Sequence, residues 1–178
     1  GWCNKTPFLT DFSINSNNPR YFKHSSNIMV GKSSIDTCDN YDELVFASRD
    51  IIKAKIPSFI KTICLYAFSK CKKLTQVVFR DDSKLEIIEK FAFYKTPITK
   101  FSIPPLTKIC EDAFLNCQSL QTIEITANSE LKTIEKEAFC NTKIESFTIP
   151  SSLVELKEGW GIETPCLTKI NISSDHPR

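Results

Sequence analysis

A short hydrophobic pattern recurs along the chain. It consists of an apolar residue, two variable residues, a second apolar residue, one variable residue and a third apolar residue, as in Leu74-Thr-Gln-Val77-Val-Phe79. Six segments carry it, at 9–14, 74–79, 98–103, 120–125, 144–149 and 167–172. Alternation of apolar and variable side chains over about five residues predicts a short β-strand that buries one face.

A second motif keeps phase with these strands. Each of four Ala-Phe pairs follows an isoleucine that lies five residues before the phenylalanine. The phenylalanines are Phe68, Phe93, Phe114 and Phe139. Gly159-Trp160 stands at the place of a fifth pair, with Glu155 at the isoleucine position and Leu156 one residue later. The aromatic residues are 25, 21, 25 and 21 residues apart, which indicates a unit of two unequal turns spanning 46 residues.

Longer repeats support this reading. At an offset of 46, residues 74–104 and 120–150 are identical at thirteen positions. At an offset of 158, residues 1–20 resemble residues 159–178, because both contain Gly-Trp, Thr-Pro, Leu-Thr and Pro-Arg in the same order. We therefore expect the chain, residues 1–178, to be a single repeat domain cut from a longer array.

Stacking explains how such a sequence folds. One turn of about 23 residues cannot bury its own apolar face, but identical turns stacked on each other form a continuous core. We predict a solenoid with a parallel β-sheet on one face and short irregular or helical turns on the other. Residues 15–55 break the period and predict an enlarged repeat with an inserted β-hairpin, because two apolar runs at 28–30 and 44–46 flank a polar stretch. Residues 56–178 are the regular repeats.

The motifs resemble a known family. Ala67-Phe68, Cys71, Leu74, Val77 and Phe79, together with their counterparts from 113 to 125, are similar to the BspA-like leucine-rich repeats of bacterial surface proteins and parasitic protists. Residues 18–21 and the predicted hairpin are similar to the long variant repeat of the same family. The resemblance implies a leucine-rich-repeat solenoid that binds or adheres, often at the cell surface, to host proteins, other microbes or matrix. It implies no catalysis.

The amino-acid composition limits the kinds of ligand and reaction that the chain is expected to support. The chain has 23 basic and 21 acidic side chains, and a net charge of +2 gives no broad reason to bind nucleic acid or an acidic membrane surface. Four glycines argue against a glycine-rich phosphate loop, and two histidines, His24 and His176, leave little for catalysis or a metal site. The chain contains no run of about 18 apolar residues, so the sequence predicts no membrane span. We therefore predict no cofactor, no metal, no nucleic acid and no membrane insertion.

The cysteines and one acidic stretch have structural interpretations. Cys64 and Cys110, like Cys71 and Cys117, lie 46 residues apart, so each pair is two turns apart and too distant for a disulfide. We predict small buried side chains there and leave open a bridge among Cys3, Cys38, Cys140 and Cys166. The redox compartment stays undecided. Asp36, Asp39 and Asp42 lack the glycine and glutamate of a calcium loop and predict a solvated hairpin tip.

The variable positions of the strands are the candidate binding surface. Because they alternate with buried positions, their side chains point outward and form one continuous face. The candidate residues on this face are Asp11, Gln76, Lys100, Ser102, Thr122, Glu124, Ser146, Thr148 and Lys169. The alternative site is the hairpin region, 20–50, with Tyr21, Phe22 and Tyr41.

Two functional hypotheses follow. The first is a non-enzymatic protein-interaction module that is displayed on the cell surface or secreted and adheres to a host or matrix protein. The second is an intracellular, cytoplasmic scaffold or structural repeat protein that uses the same face. End-to-end self-association is also expected, because the sequence shows no terminal cap.

Overall fold

The computed structural model describes residues 5–25, 27–34, 40–105, 107–126 and 128–173. A first series of strands carries the repeated hydrophobic pattern: β4 (Lys53–Lys55), β6 (Gln76–Val78), β8 (Lys100–Ile103), β10 (Thr122–Ile125), β12 (Ser146–Ile149) and β14 (Lys169–Ile172). A second series has two residues in each strand: β5 (Thr62–Ile63), β7 (Ile87–Ile88), β9 (Lys108–Ile109), β11 (Thr133–Ile134) and β13 (Glu155–Leu156). Near the N-terminus lie β1 (Tyr21–Lys23), β2 (Ile28–Gly31) and β3 (Glu43–Ala47).

The predicted parallel solenoid is confirmed. In the first series β8, β10, β12 and β14 form one parallel sheet, and β4 pairs with β6 in parallel. Each turn returns the chain to the next strand of the same series, so equivalent residues lie side by side, as Ile123 does with Phe101. The stack buries a single cluster of isoleucine, leucine and phenylalanine side chains along its length.

The opposite face is more regular than expected. In place of irregular or helical turns, the two-residue strands form a second parallel sheet that continues into β3, β2 and β1. The second residue of each of the first four, such as Ile63 and Ile88, is buried, while the first residue is half-buried or, in β9, exposed. Strands of this length are too short to show an alternating pattern, so the sequence did not reveal them.

The turns after this second sheet repeat one backbone conformation. Among the described residues, nine other than glycine have positive φ, between 54° and 63°. They fall at two positions four residues apart in each turn: Tyr66 and Lys70, Phe91 and Lys95, Asp112 and Asn116, Glu137 and Asn141, with Glu163 pairing with Gly159 in the last turn. This region costs an L-residue about 1–2 kcal/mol. Hydrogen bonds offset that cost, both within the turn, as from Ala67 N–H to Cys64 O at 3.0 Å, and between turns, as from Phe68 N–H to Ala92 O at 2.8 Å.

A column of phenylalanine rings fills the centre of the stack. Phe68, Phe93, Phe114 and Phe139 stack on each other with ring centroids 5.0, 5.0 and 5.1 Å apart. Phe101 of β8 meets Phe93 and Phe114 edge-on at 5.2 and 4.8 Å. The predicted core role of these aromatic residues is therefore confirmed.

Trp160 occupies the alanine position of its turn, and its assignment to the phenylalanine position was wrong. The left-handed residue precedes alanine in each turn, and Gly159, with φ of 70°, precedes Trp160. Phe139 N–H donates to Trp160 O at 2.9 Å, as Phe114 N–H donates to Ala138 O at 2.8 Å. Gly161 thus takes the phenylalanine position and leaves it empty. The Trp160 ring lies edge-on to Phe139 at 6.2 Å and covers the end of the column.

The last turn is therefore regular. Leu156 pairs with Ile134 in the second sheet, so it takes the isoleucine position that the pattern assigned to Glu155. The sequence pattern aligns Trp160 with the phenylalanines of the other turns, whereas the left-handed residues align it with the alanines. The two alignments differ by one residue.

The enlarged repeat contains an antiparallel unit. β1 pairs with β2, and β2 with β3, in antiparallel fashion, and β3 then pairs in parallel with β5. On one face Ile28, Val30 and Leu44 join the main core, so this β1–β3 unit covers the N-terminal end of the stack. The expectation of two uncapped ends is wrong at this end. Of the acidic stretch, Asp36 and Asp39 lie outside the described residues.

The first copy of the hydrophobic pattern, the N-terminal segment 9–14, is not a strand as predicted. Its apolar side chains pack instead on the other face of the β1–β3 unit, in an outer cluster built on Met29 and Phe46. The members that pack against these two are Leu9, Phe12, Ile14, Tyr21 and Val45. The segment has an apolar face, as the pattern requires, but no neighbouring strand of the first series to pair with in the described chain.

Candidate protein-interaction surface

The outward side chains of the first series form the strand face. Equivalent residues stand next to each other, since Lys100 pairs in register with Thr122, Thr122 with Ser146, and Ser146 with Lys169. The predicted residues Gln76, Lys100, Thr122, Glu124, Ser146, Thr148 and Lys169 are exposed there, and Ser102 is half-buried. The fold therefore brings eight of the nine predicted residues into one surface.

Asp11 lies apart from that surface. It belongs to the N-terminal segment, which pairs with no strand of the first series. Its carboxylate lies 3.3 Å from the Lys23 amine of β1. Counting Asp11 with the strand face was wrong, because its segment packs on the β1–β3 unit.

Strand β4 adds two lysines that sequence reasoning missed. Lys53 and Lys55 are exposed on the strand face, and they pair in register with Gln76 and Val78 of β6. The segment 51–56 follows the hydrophobic pattern with Ile51, Ala54 and Ile56, all buried. The small alanine at the central position, between two lysines, concealed this copy. An alignment spaced back from residue 74 by one turn would have found it.

The charges at the middle of the strand face satisfy each other. Lys100 Nζ lies 2.6 Å from Glu124 Oε1, and the Ser102 hydroxyl donates to Glu124 Oε2 at 2.8 Å. The hydrogen bonds from Lys100 and Ser102 lower the pKa of Glu124 below its usual value. The ion-pair contacts of the described residues include no partner for Lys53, Lys55 or Lys169. The unpaired positive charge of the face therefore lies at its two ends.

The strand ladder is interrupted between β6 and β8. Four residue pairs join β8 to β10 and four join β12 to β14, but a single pair joins β10 to β12. Among the described residues no pair joins β6 to β8. The two weak junctions are β6–β8 and β10–β12. At both of them, successive copies of the hydrophobic pattern start 24 residues apart. The 46-residue unit seen in the sequence thus appears in the structure as alternating tight and loose strand contacts.

The interruption opens a groove in the strand face. Its volume is about 840 Å³, and its lining includes Gln76, Val78, Arg80, Lys100, Ser102 and Asn128. Because the ladder is absent, peptide groups on the facing edges of β6 and β8 are available to water or to the backbone of a partner. The groove is therefore suited to an extended polypeptide more than to a compact apolar ligand.

The alternative site at the hairpin is split by the fold. Phe22 and Tyr41 lie with ring centroids 5.6 Å apart and, with Phe59, line a smaller cavity of about 370 Å³ beside Lys61 and Lys84. Tyr21 points to the other side and belongs to the outer cluster. The three aromatic residues named from the sequence therefore do not form one surface.

Burial makes three of the described cysteines, Cys71, Cys110 and Cys117, poor nucleophiles. Cys64, Cys71, Cys110, Cys117, Cys140 and Cys166 are free thiols. Burial raises the pKa of Cys71, Cys110 and Cys117 to about 11, so these thiols are protonated at neutral pH. The bridge left open for Cys140 and Cys166 is not formed, and Cys3 and Cys38 lie outside the described residues.

Two other features of the described chain concern metals and membranes. Its histidine, cysteine and carboxylate side chains nowhere gather in a group of three that would hold a metal ion. It also has no helix with the length and apolar character needed to cross a bilayer.

Sequence comparison identifies the repeat. A family model described as BspA type leucine rich repeat region matches residues 39–160 in six copies. No curated protein matches the chain. Solenoids of this repeat type are typically non-enzymatic, and the family match indicates a protein-interaction repeat module.

Three solved structures are similar to this chain. The pneumococcal vaccine antigen PcpA is 29% identical with a TM-score of 0.67, over 70% of this chain and 31% of that one. A leucine rich cell surface protein of Faecalibacterium prausnitzii is 16% identical with a TM-score of 0.51, over 89% and 56%. A leucine-rich repeat protein of Eubacterium ventriosum is 18% identical with a TM-score of 0.53, over 92% and 55%. The chain thus spans from about a third to about half of each of these proteins.

Proposed function

We propose, since the chain belongs to the BspA-type leucine-rich repeat family, that its strand face binds a partner protein and that the chain serves in adhesion at the cell surface. The groove between β6 and β8 carries this proposal. It combines available peptide groups with exposed polar side chains on both of its walls, such as Gln76 and Lys100. A regular, fully paired ladder would offer side chains alone.

The charges of the strand face favour an acidic, extended segment of the partner. Lys53 and Lys55 lie on β4, next to the β6 wall of the groove, and the described residues offer them no carboxylate. Lys100 contributes little net charge because Glu124 neutralises it. Exposed charges of this kind speed association and set orientation more than they strengthen binding. We expect a broad, polar and moderately weak contact.

Surface display is supported by the names of the similar structures. One is a vaccine antigen and another a cell surface protein. The intracellular scaffold is the second candidate, and six free thiols favour it because disulfides are rare in reducing compartments. Labelling of intact cells with an antibody against the chain separates the two, since a cytoplasmic scaffold is labelled only after permeabilisation.

The binding test uses peptides selected from a displayed library on the immobilised chain. We expect the selected peptides to be rich in aspartate and glutamate. The double variant Lys53→Glu/Lys55→Glu should weaken their binding by about tenfold, or about 1.4 kcal/mol. Ser102→Tyr, which fills the groove without a change of charge, should weaken it as well. Replacing Lys100, Glu124 and Lys169 together tests the rest of the face.

A matched control keeps the result specific. Lys132→Glu/Lys143→Glu makes the same change of charge at two exposed lysines that lie outside the first series of strands and outside the cavity at Phe22, Tyr41 and Phe59. Equal losses for both double variants would show a general charge effect and reject the strand face as the site. Unchanged binding by Ser102→Tyr would reject the groove.

A further inference from the structure

Two neighbouring turns carry a dense group of lysines. Segments 64–75 and 90–97 contain no acidic residue and no arginine but five lysines: Lys70, Lys72, Lys73, Lys90 and Lys95. The turns lie side by side, because Lys70 N–H donates to Tyr94 O at 2.7 Å. Segment 110–121, the counterpart of 64–75 at the offset of 46, contains two acidic residues and no basic one. The positive charge is therefore specific to these two turns and is not a property of the repeat.

Backbone conformation does not explain which residues these turns contain. Tyr66 and Lys70 hold the two left-handed positions of their turn, and Asp112 and Asn116 hold the same positions one 46-residue unit later. Aspartate and asparagine adopt this region more readily than a bulky aromatic residue or a lysine. Residues that occupy a left-handed position at extra conformational cost point to a role of their side chains.

Aromatic rings hold the lysine side chains in place. The Tyr66 and Phe91 rings stack with centroids 5.0 Å apart, and the Tyr94 ring meets Phe91 edge-on at 5.7 Å. Two ammonium groups lie near the Tyr94 ring, Lys95 Nζ at 5.1 Å and Lys70 Nζ at 6.0 Å from its centroid. Such cation–π contacts restrict long side chains, so less conformational entropy is lost when an anion binds to them. The two turns therefore present positive charge at defined positions.

Three of the lysines present their charge to solvent. Lys72, Lys73 and Lys95 are exposed, and the ion pairs of the described residues include none with these three. Lys90 differs, because its amine lies 2.8 Å from Glu111 Oε2. The lysines other than Lys90 lie outside the lining of the groove in the strand face. They are called the lysine ridge, which consists of Lys70, Lys72, Lys73 and Lys95.

The composition of the lysine ridge selects among anionic ligands. Nucleic-acid recognition relies on arginine forks and on free aromatic faces, whereas the ridge has no arginine and its rings pack against each other or beside an ammonium group. Anchoring to an anionic bilayer uses exposed apolar side chains, and Tyr66, Phe91 and Tyr94 are half-buried. Lysine ammonium groups are compact point charges that pair with an anion in many orientations. The ridge is therefore suited to a flexible polymer of closely spaced anions.

We propose that the lysine ridge binds a sulfated polysaccharide. Lys70, Lys72 and Lys73 lie within four residues of the chain, and they match a polymer that carries several anionic groups on each short stretch. Such a polymer is bound through its charge and not through a fixed set of hydrogen bonds, so the affinity depends strongly on salt. The ridge and the strand face are separate, and the proposal does not rest on the binding of a protein by the strand face.

The test is binding of the full chain to dextran sulfate and to dextran, the same polymer without sulfate, over a range of salt concentrations. We expect binding to dextran sulfate and none to dextran, and a loss of affinity as the salt concentration rises. Lys70→Asn/Lys72→Gln/Lys73→Ser introduces the residues that occupy the same three positions in segment 110–121, so the turn keeps a sequence that the repeat already uses. This variant should bind about tenfold more weakly, with a shallower dependence on salt. Tyr94→Leu, which removes the ring beside Lys70 and Lys95, should weaken binding by about threefold.

A matched control replaces three exposed lysines elsewhere. Lys84→Asn/Lys132→Gln/Lys143→Ser removes the same charge at positions outside the ridge, and it should leave the affinity nearly unchanged. Equal losses for the two triple variants would show a general attraction to positive charge and would overturn the proposal. So would a natural chain that fails to bind dextran sulfate.

Competition identifies the class of ligand. Polyglutamate, single-stranded DNA and vesicles with anionic lipid stand for an acidic protein segment, a nucleic acid and a membrane. At equal concentrations of negative charge, each of these should displace dextran sulfate less effectively than heparin does. A competitor that equals or exceeds heparin would assign the ridge to its own class of ligand and would overturn the assignment to a sulfated polysaccharide.

Discussion

Residues 5–14 and residues 163–172 share a sequence pattern and a local turn, yet one of them forms a strand and the other does not. In both, the leucine N–H donates to the threonine carbonyl three residues earlier, at 3.4 Å for Leu9 and 3.1 Å for Leu167. Residues 169–172 then pair along their whole length with β12. In the described structure residues 11–14 pair with no strand; they pack mainly by their side chains, and the Phe12 carbonyl accepts a hydrogen bond from the Lys23 amine at 2.7 Å. The local sequence is therefore sufficient for the shared turn, whereas formation of a strand also requires a neighbouring strand to pair with.

The largest expected difference lies in the cost of removing an aromatic ring. Phe147 is 1% exposed in β12, whereas Phe12 is half-buried in the N-terminal segment. Phe147→Ala should lower the free energy of unfolding by about 3–5 kcal/mol, because it leaves a cavity in a packed core. Phe12→Ala should cost about 1 kcal/mol, since little apolar area is buried there. Urea denaturation of both variants checks this, and equal losses would contradict the separation of the two regions.

Amide exchange compares the two regions directly. Thr168 N–H and Ser173 N–H donate across the ladder to Glu145 O and Ile149 O, both at 3.0 Å. Within the described part of the chain, their counterparts at Thr10 and Asn15 have no ladder partner. We expect the amides of 168–173 to exchange at least about tenfold more slowly than those of 10–15, which corresponds to about 1.4 kcal/mol of opening free energy. Similar rates measured by NMR would mean that β14 is as loosely held as the N-terminal segment.

Side-chain tethers should differ by a smaller amount. Glu135 accepts from Lys108 Nζ at 2.7 Å and from the Glu111 N–H at 3.0 Å, which joins neighbouring turns. Burial raises the pKa of Glu135, but these hydrogen bonds outweigh burial and hold the pKa below 4.5. Glu135→Gln should cost about 1 kcal/mol at neutral pH. Asp11→Asn, at the exposed Lys23 pair, should cost close to nothing.

The pH dependence follows from the sign of that shift. Because the folded state lowers the pKa of Glu135, its contribution is fully present above about pH 4.5 and is lost as the pH falls through the lower, folded value. Unfolding measured from pH 7 to pH 3 should show the natural chain and Glu135→Gln converging at the acid end. A difference that persists unchanged at the acid end would assign the effect to packing.

The last prediction concerns the left-handed positions, which recur in five turns of the described chain. Gly159 has φ of 70°, and an added Cβ would meet no atom within 4 Å. Gly159→Ala should therefore lower stability by about 1 kcal/mol through backbone conformation alone. Lys95→Gly, at a left-handed position occupied by an L-residue, should change stability by a similar or smaller amount in the opposite direction. Thermal unfolding checks both, and two shifts of the same sign would contradict the assignment of these positions.

Most of the fold could be predicted from the periodicity of the hydrophobic pattern. The buried positions of the strands, the phenylalanine column and the cysteines that stay unpaired all follow from equivalent residues stacking one turn apart. The pattern missed β4, because Ala54 is a weak apolar signal between two lysines. It also misplaced Trp160, because the pattern matches aromatic residues with each other, whereas the left-handed Gly159 puts Trp160 at the alanine position.

For the candidate surface, the sequence predicted which residues lie on it but not how they interact. Alternation placed Gln76, Lys100 and Glu124 on one face, and the structure has them there. Their electrostatics could not be foreseen, because the ion pair between Lys100 and Glu124 joins residues on neighbouring strands. The groove at β6 and β8 was equally hidden, since the same residue pattern occurs at tight and at loose junctions.

The amino-acid sequence alone determined which side chains are buried, how often the chain turns and which residues become equivalent. These properties depend on contacts between a repeat and similar repeats beside it, so a periodic sequence contains most of them. Tertiary structure alone decided which strands pair, where the ladder opens and which end of the stack is covered. Those outcomes depend on the lengths of individual turns and on which strand lies next to a segment. Residues 5–14 and 163–172 therefore differ in structure although they share a sequence pattern.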